Sequence, residues 1–516
     1  MKRASLLFIF ISLITELAFP QNVTDSLVLF SDLKYQSEFE KTAFLNYVNQ
    51  KKDTFNLFLA IDKDMLPQEA KKNYITYRNV FKELKALKLD SKPLNKKIKI
   101  SYSTVHNNFL QKYSEREYFP AMFRNGTYNC VSASMLYSLV FDQLKIPYRV
   151  MVSSNHVYLV ADPGPNSIVI ETTNPGFEKS VFTGDFKKQY VNYLRESKMV
   201  SESEYKNKSV EELFEAKFSE VKEADFINLA GFQYYNKAIA MLQDNKNKEA
   251  LELCQKAYFF YPDQRVKILL YAALLLQIEK SNFEKIADID YLAQLSRFEN
   301  TEQNTIDGIF NNVIAHHLQY TDKEAFCDSL FQRLSPQIAN KTTREEISFS
   351  YYMLMSYRFQ NSNKVEYYVG NALKIKGNHQ NANIILETFI RKKLNAVNGS
   401  YAILDSVQKL KTKYNYEHIL PVLSEYEMIA CLKLAGDLYY ANNLKSGEKY
   451  LQQFESICKL PIEKQVLAYW IEKTYRSIAV HCFYSNNVNL RNKVKGIKAK
   501  GLEYLPNSEL LKSAFN

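Results

Sequence analysis

Apolar residues recur every three or four positions along most of the chain, and strand-like alternation is confined to one stretch. Residues 130–144 follow the helical spacing, with apolar side chains at positions 131, 135, 136, 139, 140 and 144. Ile146-Pro147 ends this predicted helix. Strand-like segments then follow at residues 148–152, 156–161 and 168–173, with a turn at 162–166. The pattern predicts a small α+β module made of a helix and an antiparallel sheet.

Strand patterns disappear from about residue 224 onward. Residues 232–242 and 248–261 form a predicted helix-turn-helix, in which Ala238, Ala250, Ala257 and Pro262 hold the small-residue and final-proline positions of a 34-residue helical repeat. Weaker copies cover residues 349–383, with Ala372 and Gly377, and the C-terminal segment around 501–506. We therefore predict that residues 224–516 form an all-α solenoid, whose repeat register the pattern leaves open.

The segment before the α+β module, residues 22–95, is rich in Lys, Leu and Phe and is predicted to be helical. Residues 97–102, Lys-Ile-Lys-Ile-Ser-Tyr, alternate briefly, and the module is assigned to residues 96–200. Residues 1–21 are typical of a signal peptide, because Lys2 and Arg3 precede an apolar run at 4–14 that is too short to span a membrane. We expect an exported protein, periplasmic or secreted.

Composition and charge narrow the function classes further. The formal charge is +11 and becomes +10 without Lys2, Arg3 and Glu16 of the predicted signal peptide. The basic residues are scattered among acidic ones and form no stripe with interleaved aromatics, which argues against nucleic-acid binding. No later stretch reaches about 18 consecutive apolar residues, so an integral membrane protein is not expected.

The six cysteines are spread from residue 130 to residue 482, unlike the clustered spacing of a disulfide framework. Most are expected to be small apolar residues of helical cores. No CxxC pair and no His/Cys cluster has the spacing of metal ligands, so we expect no metal. Cys130 differs from the other five because it begins a predicted helix directly after a polar loop.

Three residues of the α+β module suggest thiol-based acyl transfer. A helix N-terminus and a nearby imidazolium both favour the thiolate, which makes Cys130 the candidate nucleophile and His156 the candidate base. If Ala161 pairs with Ile168 in the predicted hairpin, Glu171 becomes the diagonal neighbour of His156 on the same face and can orient its ring. Asp162 is the rival acid, but its place in the turn favours a turn-forming role.

An oxyanion hole is expected at the start of the same helix. The backbone N–H of Cys130 would be one donor, since the first N–H groups of a helix lack intrahelical acceptors. A second donor should come from the preceding loop, for which the candidates are Asn125, Tyr128 and Asn129. The sequence does not choose among these three residues.

These motifs together resemble the core of the transglutaminase-like superfamily. The resemblance covers roughly residues 100–195 and rests on four segments: Tyr128-Asn-Cys130-Val-Ser-Ala-Ser, Leu144-Lys-Ile-Pro-Tyr-Arg149-Val, His156-Val-Tyr-Leu and Ile170-Glu171-Thr-Thr. It implies a papain-like domain with Cys130 as nucleophile, His156 as base and Glu171 where most members carry Asp. Tyr128 replaces a usual glycine. The repeat pattern separately resembles tetratricopeptide repeats.

The resemblance implies an exported cysteine peptidase or amidase that needs no cofactor, with helical repeats presenting a surface to a protein partner. Hydrolysis is favoured over transfer to an amine. The alternative is a catalytically inactive domain that serves, with the repeats, as a protein-binding module. The substrate, the repeat partner, the disulfide pairing and the oligomeric state are left open, and residues 22–95 could either cap the packing or cover the active site.

Overall fold

The computed structural model describes residues 27–51, 53–153, 156–164, 167–171, 191, 200–218, 221–298, 303–320 and 323–513. The described chain is mostly helical with a small sheet region. It divides into two compact units, residues 1–299 and 300–516. The predicted signal peptide, residues 1–21, lies outside the described residues, as do Asn155, Thr172 and Thr173.

The first unit begins with helices that match the prediction for residues 22–95. These are α1 (Glu38–Val48), α2 (Thr54–Leu59), α3 (Pro67–Ala86) and α4 (Leu94–Phe109). The alternating residues 97–102 lie inside α4 and form no strand. Burial in α4 follows a helical spacing of four, three and four residues, at Ile98, Tyr102, Val105 and Phe109. The alternation covers only six residues, so burial of one helix face determines the structure here.

The α+β module follows. Two short strands, β1 (Lys112–Tyr113) and β2 (Thr127–Tyr128), pair in parallel around α5 (Ala121–Arg124). Helix α6 (Cys130–Leu144) comes next, as predicted, and ends at Lys145 in a left-handed conformation before Ile146-Pro147. It packs on an antiparallel sheet with the order β5 (Ile168–Ile170), β4 (Val157–Ala161), β3 (Tyr148–Val152) and β6 (Lys222–Ala224).

The register of the β4–β5 hairpin confirms the predicted pairing. Ala161 lies opposite Ile168, and Leu159 lies opposite Ile170. The edge strand β6 comes from residues between the predicted module and the predicted repeats, and it pairs with β3 through Val150 and Ala224. The chain leaves β6 and enters a helical hairpin within four residues. The sheet therefore connects this hairpin directly to the module.

The hairpin consists of α9 (Asn228–Gln243) and α10 (Asn247–Phe260), preceded by α7 (Glu202–Asn207) and α8 (Val210–Phe218) and followed by α11 (Gln264–Lys280) and α12 (Asp290–Leu295). The repeat pattern predicted small residues where the two helices cross. Ala238, Ala250 and Ala257 are all fully buried. A Cβ atom added at Gly231 would lie 2.6 Å from Cβ of Tyr261 and 2.9 Å from the carbonyl oxygen of Ala257.

The N-terminal helices pack against this hairpin through a buried polar cluster. The ammonium group of Lys256 lies 2.8 Å from the carboxylate of Glu40, and the two side chains are 0% and 2% exposed. The Tyr234 hydroxyl donates to the same carboxylate at 2.9 Å. Gln233 donates to the Phe58 carbonyl at 3.1 Å and accepts the Phe119 N–H at 2.8 Å. The described part of residues 22–95 thus shares a core with the hairpin.

The described part of the second unit is helical. Its helices are α13 (Gln303–Leu318), α14 (Glu324–Leu334), α15 (Lys341–Arg358), α16 (Val365–Ile375), α17 (Gln380–Asn395), α18 (Ser400–Lys413), α19 (Leu420–Tyr440), α20 (Leu444–Ile457), α21 (Gln465–Phe483), α22 (Val488–Tyr504) and α23 (Glu509–Lys512). Ala372 is buried where α16 packs into one apolar cluster. Gly501 lies against Tyr475, which belongs to the second cluster. None of the helices described in either unit is long and apolar enough to cross a membrane.

Candidate active site

Cys130 is the first residue of α6, and its side chain is 7% exposed. A reciprocal cap fixes the helix start: the Asn129 side chain accepts the Ser132 N–H at 2.9 Å, and the Ser132 hydroxyl accepts the Asn129 N–H at 2.9 Å. The cap explains why the sequence Asn-Cys-Val-Ser begins a helix at this position. The sulfur therefore lies at the positive end of the helix dipole, which favours a thiolate.

His156 immediately precedes β4 and is 3% exposed. Its backbone carbonyl accepts the Ser153 N–H at 2.9 Å, which ties the end of β3 to the start of β4. The ring of Tyr158 is stacked beside the imidazole, with 5.9 Å between the ring centroids. Hydrogen bonding and ring packing therefore fix both the backbone and the side chain of His156.

Glu171 directly follows β5, and its carboxylate reaches the His156 ring. The distances from Nε2 of His156 are 2.8 Å to Oε1 and 3.1 Å to Oε2. The Tyr102 hydroxyl donates to the backbone carbonyl of Glu171 at 3.2 Å and holds the end of the strand. The longer arm of glutamate, compared with aspartate, spans the diagonal between the two strands.

The electrostatic surroundings of His156 favour its charged form. Burial alone would lower the pKa of the imidazole, but the charge of Glu171 and hydrogen bonds of the ring to the side chains of Cys130 and Glu171 hold that pKa well above its usual value. Glu171 engages Nε2 of the imidazole, and the Cys130 thiol lies close enough to the same ring to favour its charged form. The arrangement is an ordered chain of thiol, imidazole and carboxylate, which is the geometry that activates a thiol nucleophile.

The five other cysteines provide a contrast within the same chain. None of the six cysteines forms a disulfide bond. Burial raises the pKa of Cys254 and Cys431 to about 12 and that of Cys327 and Cys458 to about 11, and it also raises the pKa of Cys482. Cys458 is half-buried. The other four thiols are buried, as the sequence predicted. Cys130 is the one that lies beside a histidine held by a carboxylate.

The three predicted oxyanion-hole residues have different surroundings. The Asn125 side chain accepts the N–H and the hydroxyl of Thr127, at 3.0 and 2.6 Å, and forms a local turn. Tyr128 is buried in β2, where burial and the charge of Glu171 raise the pKa of its hydroxyl. Asn129 lines the cleft, but its amide donates to the carbonyls of Glu115 and Glu117 at 3.2 and 2.6 Å. The side chains of Asn125 and Asn129 are therefore used in holding the loop.

A backbone donor offers an alternative that the sequence analysis missed. Val131 is the second residue of α6 and lines the cleft beside Cys130. Its N–H has no hydrogen-bond acceptor among the residues that the structure describes. The cap explains this. The Asn129 side chain accepts the N–H of Ser132 and the Asn129 carbonyl accepts that of Ala133, but neither accepts the N–H of Val131. The sequence could have indicated Val131, because the first N–H groups after an N-cap residue lack acceptors within the helix.

Asp162, the rival acid, lies in the turn after β4 with a φ of 50°. Its N–H donates to the carbonyl of Pro147 at 2.9 Å. Aspartate tolerates this left-handed conformation better than most residues do, which supports the turn-forming role. The acid that contacts the His156 ring is Glu171.

The Cys130–His156 pair lies in a cleft of about 390 Å³. One side is formed by the α+β module, through Tyr113, Glu115, Arg116, Asn129, Cys130, Val131, Val152, Ser153, His156 and Val157. The other side is formed by helical residues about one hundred positions later: Phe232, Tyr235, Asn236, Ile239, Ala240, Gln243 and Arg265. The sequence analysis did not anticipate this second side, because no local pattern connects α9 to Cys130.

Arg265, near the start of α11, joins the two sides of the cleft. Its guanidinium donates to the Ser153 carbonyl at 2.8 Å, in the turn that carries His156. Asp263 accepts from Nε of the same group at 3.0 Å, and Tyr261 accepts a further hydrogen bond at 3.3 Å. Arg265 therefore fixes the position of the β3–β4 turn relative to the helical hairpin.

No group of three or more metal-binding side chains occurs in the described ranges of the chain. Within the site, Glu171 contacts the His156 ring, and Cys130 lies beside the same ring. No family model matches this chain, and neither curated proteins nor solved structures provide a match.

Proposed function

We propose that this protein is a thiol-dependent acyl-transfer enzyme that hydrolyses peptide or amide bonds through a thioester on Cys130. The observation that carries the proposal is the buried imidazole of His156, which contacts the half-buried Glu171 carboxylate and lies beside the Cys130 thiol in a cleft. Burial of an ionisable imidazole next to a thiol costs folding free energy, and chemistry is the usual reason for such an arrangement.

The proposed reaction begins when the Cys130 thiolate attacks the substrate carbonyl and forms a C–S bond. The N–H of Val131 at the helix N-terminus donates to the oxyanion. The His156 imidazolium then gives its proton to the leaving amine as the C–N bond breaks, which leaves a thioester. Neutral His156 next takes a proton from water, the hydroxyl attacks the thioester, and the thiolate and the imidazolium are restored. Glu171 holds the ring and stabilises its cation throughout.

The finer fold assignment belongs to the same proposal. A cysteine at the start of a helix, followed by antiparallel strands with a histidine and an acid, supports a transglutaminase-like, papain-like domain. Buried alanines and close glycines at helix crossings support tetratricopeptide-like repeats. We propose that the protein is exported and that its repeats bind a protein partner, because stacked helical hairpins present a continuous surface.

A digestion in ¹⁸O-labelled water with a labelled primary amine tests the reaction directly. Native protein and the Cys130→Ala variant are incubated with a peptide mixture, and the products are analysed by mass spectrometry. We expect new carboxyl groups that carry one ¹⁸O atom with native protein and none with the variant. Incorporation of the amine instead would establish transfer rather than hydrolysis. Absence of both products over a broad mixture would favour the binding-module alternative.

A further inference from the structure

Helix α9 turns one continuous face toward the reactive thiol. Six residues of α9 line the cleft, at steps of three, one, three, one and three: Phe232, Tyr235, Asn236, Ile239, Ala240 and Gln243. This spacing is that of a single helix face. Tyr234 and Ala238, which lie between these positions, are fully buried elsewhere in the unit. This face of α9 therefore forms one wall of the cleft.

We propose that this face of α9 selects the substrate, and that it favours a peptide with an uncharged, apolar side chain next to the scissile carbonyl. The inference rests on the proposed thiol chemistry and adds the substrate class. Its first support is the lining: Val131 and Val157 lie on one side of the cleft, and Phe232 and Ile239 lie on the other. Apolar side chains gain about 25 cal/mol for each Å² that such walls remove from water.

The charged residues of the cleft give the second support. The guanidinium of Arg265 is held by Asp263 and by the Ser153 carbonyl. Arg116 donates to Gln243 at 2.8 Å and lies 3.6 Å from Asp244. Glu115 is exposed. An acidic substrate side chain that enters beside Val131 would lose water and find both arginines already engaged. A basic one would lose water as well and meet only the exposed Glu115, whose charge is screened by solvent.

Asn236 supplies a polar contact between the apolar residues Phe232 and Ile239 of this face. It is half-buried and lines the cleft, and its amide makes no hydrogen bond to any residue that the structure describes. An amide carries both a donor and an acceptor, so it can bind the N–H and the C=O of an extended peptide. The cleft volume of about 390 Å³ limits the bound part to a short segment.

Peptidyl acyloxymethyl ketones test this assignment. The thiolate displaces the acyloxy group from the methylene carbon next to the ketone: a C–S bond forms at that carbon, its C–O bond breaks and a carboxylate leaves, so no other reactant is required. Probes with Leu, Phe, Asp or Lys next to the reactive group are compared by the rate at which Cys130 is labelled. We expect the Leu and Phe probes to react at least about tenfold faster than the Asp and Lys probes.

Variants of α9 test whether its face contacts the substrate. Ile239→Asp should slow the Leu probe by about tenfold or more, and Asn236→Ala should slow every peptidyl probe by roughly three- to tenfold, as loss of a hydrogen bond does. Lys248→Asp, an exposed change on α10, is the matched control and should leave all rates unchanged. Iodoacetamide is too small to contact the wall, so it should label Cys130 equally in all four proteins.

The outcomes separate this inference from the proposed function. Selective iodoacetamide labelling of Cys130 with equal rates for all peptidyl probes would overturn substrate selection by α9 and leave the thiol chemistry standing. Absence of selective iodoacetamide labelling in the native protein would overturn both. If Ile239→Asp fails to fold, Asn236→Ala still decides, because unchanged probe rates in that variant would contradict the assignment.

Discussion

Nε2 of His156 lies 2.8 Å from Oε1 of Glu171, across the diagonal of the β4–β5 hairpin. The hairpin register determines this contact, because a shift of one residue would turn Glu171 to the opposite face of the sheet. The contact engages Nε2 and orients the imidazole ring beside the Cys130 thiol. The pairing of two neighbouring strands thus sets the orientation of the proposed base.

Glu171→Gln should lower the pKa of His156. The variant keeps the shape of the side chain and removes the charge that raises the pKa of the imidazole. A neighbouring opposite charge favours the charged form of the ring, so its titration should move to lower pH when the charge is removed. NMR titration of the imidazole carbons measures the shift, with the His156→Ala spectrum identifying the resonance. Asp162→Asn is the control, and an unmoved His156 titration in Glu171→Gln would contradict the account.

The same pair makes stability depend on pH. The folded-state pKa of His156 is raised, so its contribution to stability is complete below the unfolded value of about 6.5 and is lost as the pH rises through the folded value. Glu171→Gln should therefore destabilise the protein more at about pH 6 than at high pH. Denaturant unfolding of native and variant protein at both pH values measures the difference. An equal loss at the two pH values would argue against a charged His156.

Arg265→Gln should loosen the turn that carries His156. The substitution removes the charged hydrogen bond to the Ser153 carbonyl, a loss of about 1.5–3 kcal/mol in the free energy of unfolding. Alkylation of Cys130 at about pH 6.5 should slow as well, because the imidazole loses its fixed position. Arg116→Gln is the matched control: its side chain is 63% exposed, and the change should cost less than about 0.5 kcal/mol. Equal effects of the two substitutions would contradict the positioning role of Arg265.

Gly231→Ala should destabilise the first unit through the crossing of α9 and α10. The new methyl group would lie 2.6 Å from the Tyr261 side chain, so the helices must separate at a cost of about 1–3 kcal/mol. Gly370→Ala, inside α16, is the control because nothing lies within 4 Å of its added methyl group. Helix propensity predicts that the control is stabilised by up to about 1 kcal/mol. Denaturant unfolding compares the two, and a neutral Gly231→Ala would contradict the close crossing.

Lys256→Met should be strongly destabilising, because it leaves the Glu40 carboxylate buried without its cation. Removal of one partner of a buried ion pair costs about 3–5 kcal/mol. The double variant Lys256→Met, Glu40→Gln should recover much of that loss, since the amide still accepts the Tyr234 hydrogen bond. Thermal and denaturant unfolding measure both variants. Failure of the second substitution to restore stability would show that packing, and not the charge, is responsible.

The parts of the fold that depend on local pattern could be predicted from the sequence. Helix α6, the β4–β5 register and the small residues at the α9–α10 crossing all follow from periodicity over fewer than 30 residues. Residues 97–102 illustrate the limit of such patterns, because six alternating residues fit either period and tertiary burial decided for helix. The proximity of Glu171 to His156 also followed from the register alone.

The rest of the site depends on contacts between distant segments. Arg265 reaches Ser153 across 112 residues, and no pattern within either segment indicates the other. The oxyanion candidates could not be ranked from sequence, since the use of both Asn129 donors by Glu115 and Glu117 depends on how the loop folds back. Long-range geometry of this kind becomes visible only in three dimensions.

The most direct test of the central claim is alkylation of the folded protein by dilute iodoacetamide, mapped by mass spectrometry across pH for native protein and His156→Ala. The five other cysteines serve as internal controls, because burial raises their pKa values. The account predicts that Cys130 is labelled selectively, faster than the other five thiols at neutral pH, and that this selectivity is lost in the variant. Labelling of Cys130 no faster than the other five thiols, or equal labelling in His156→Ala, would contradict an activated thiol.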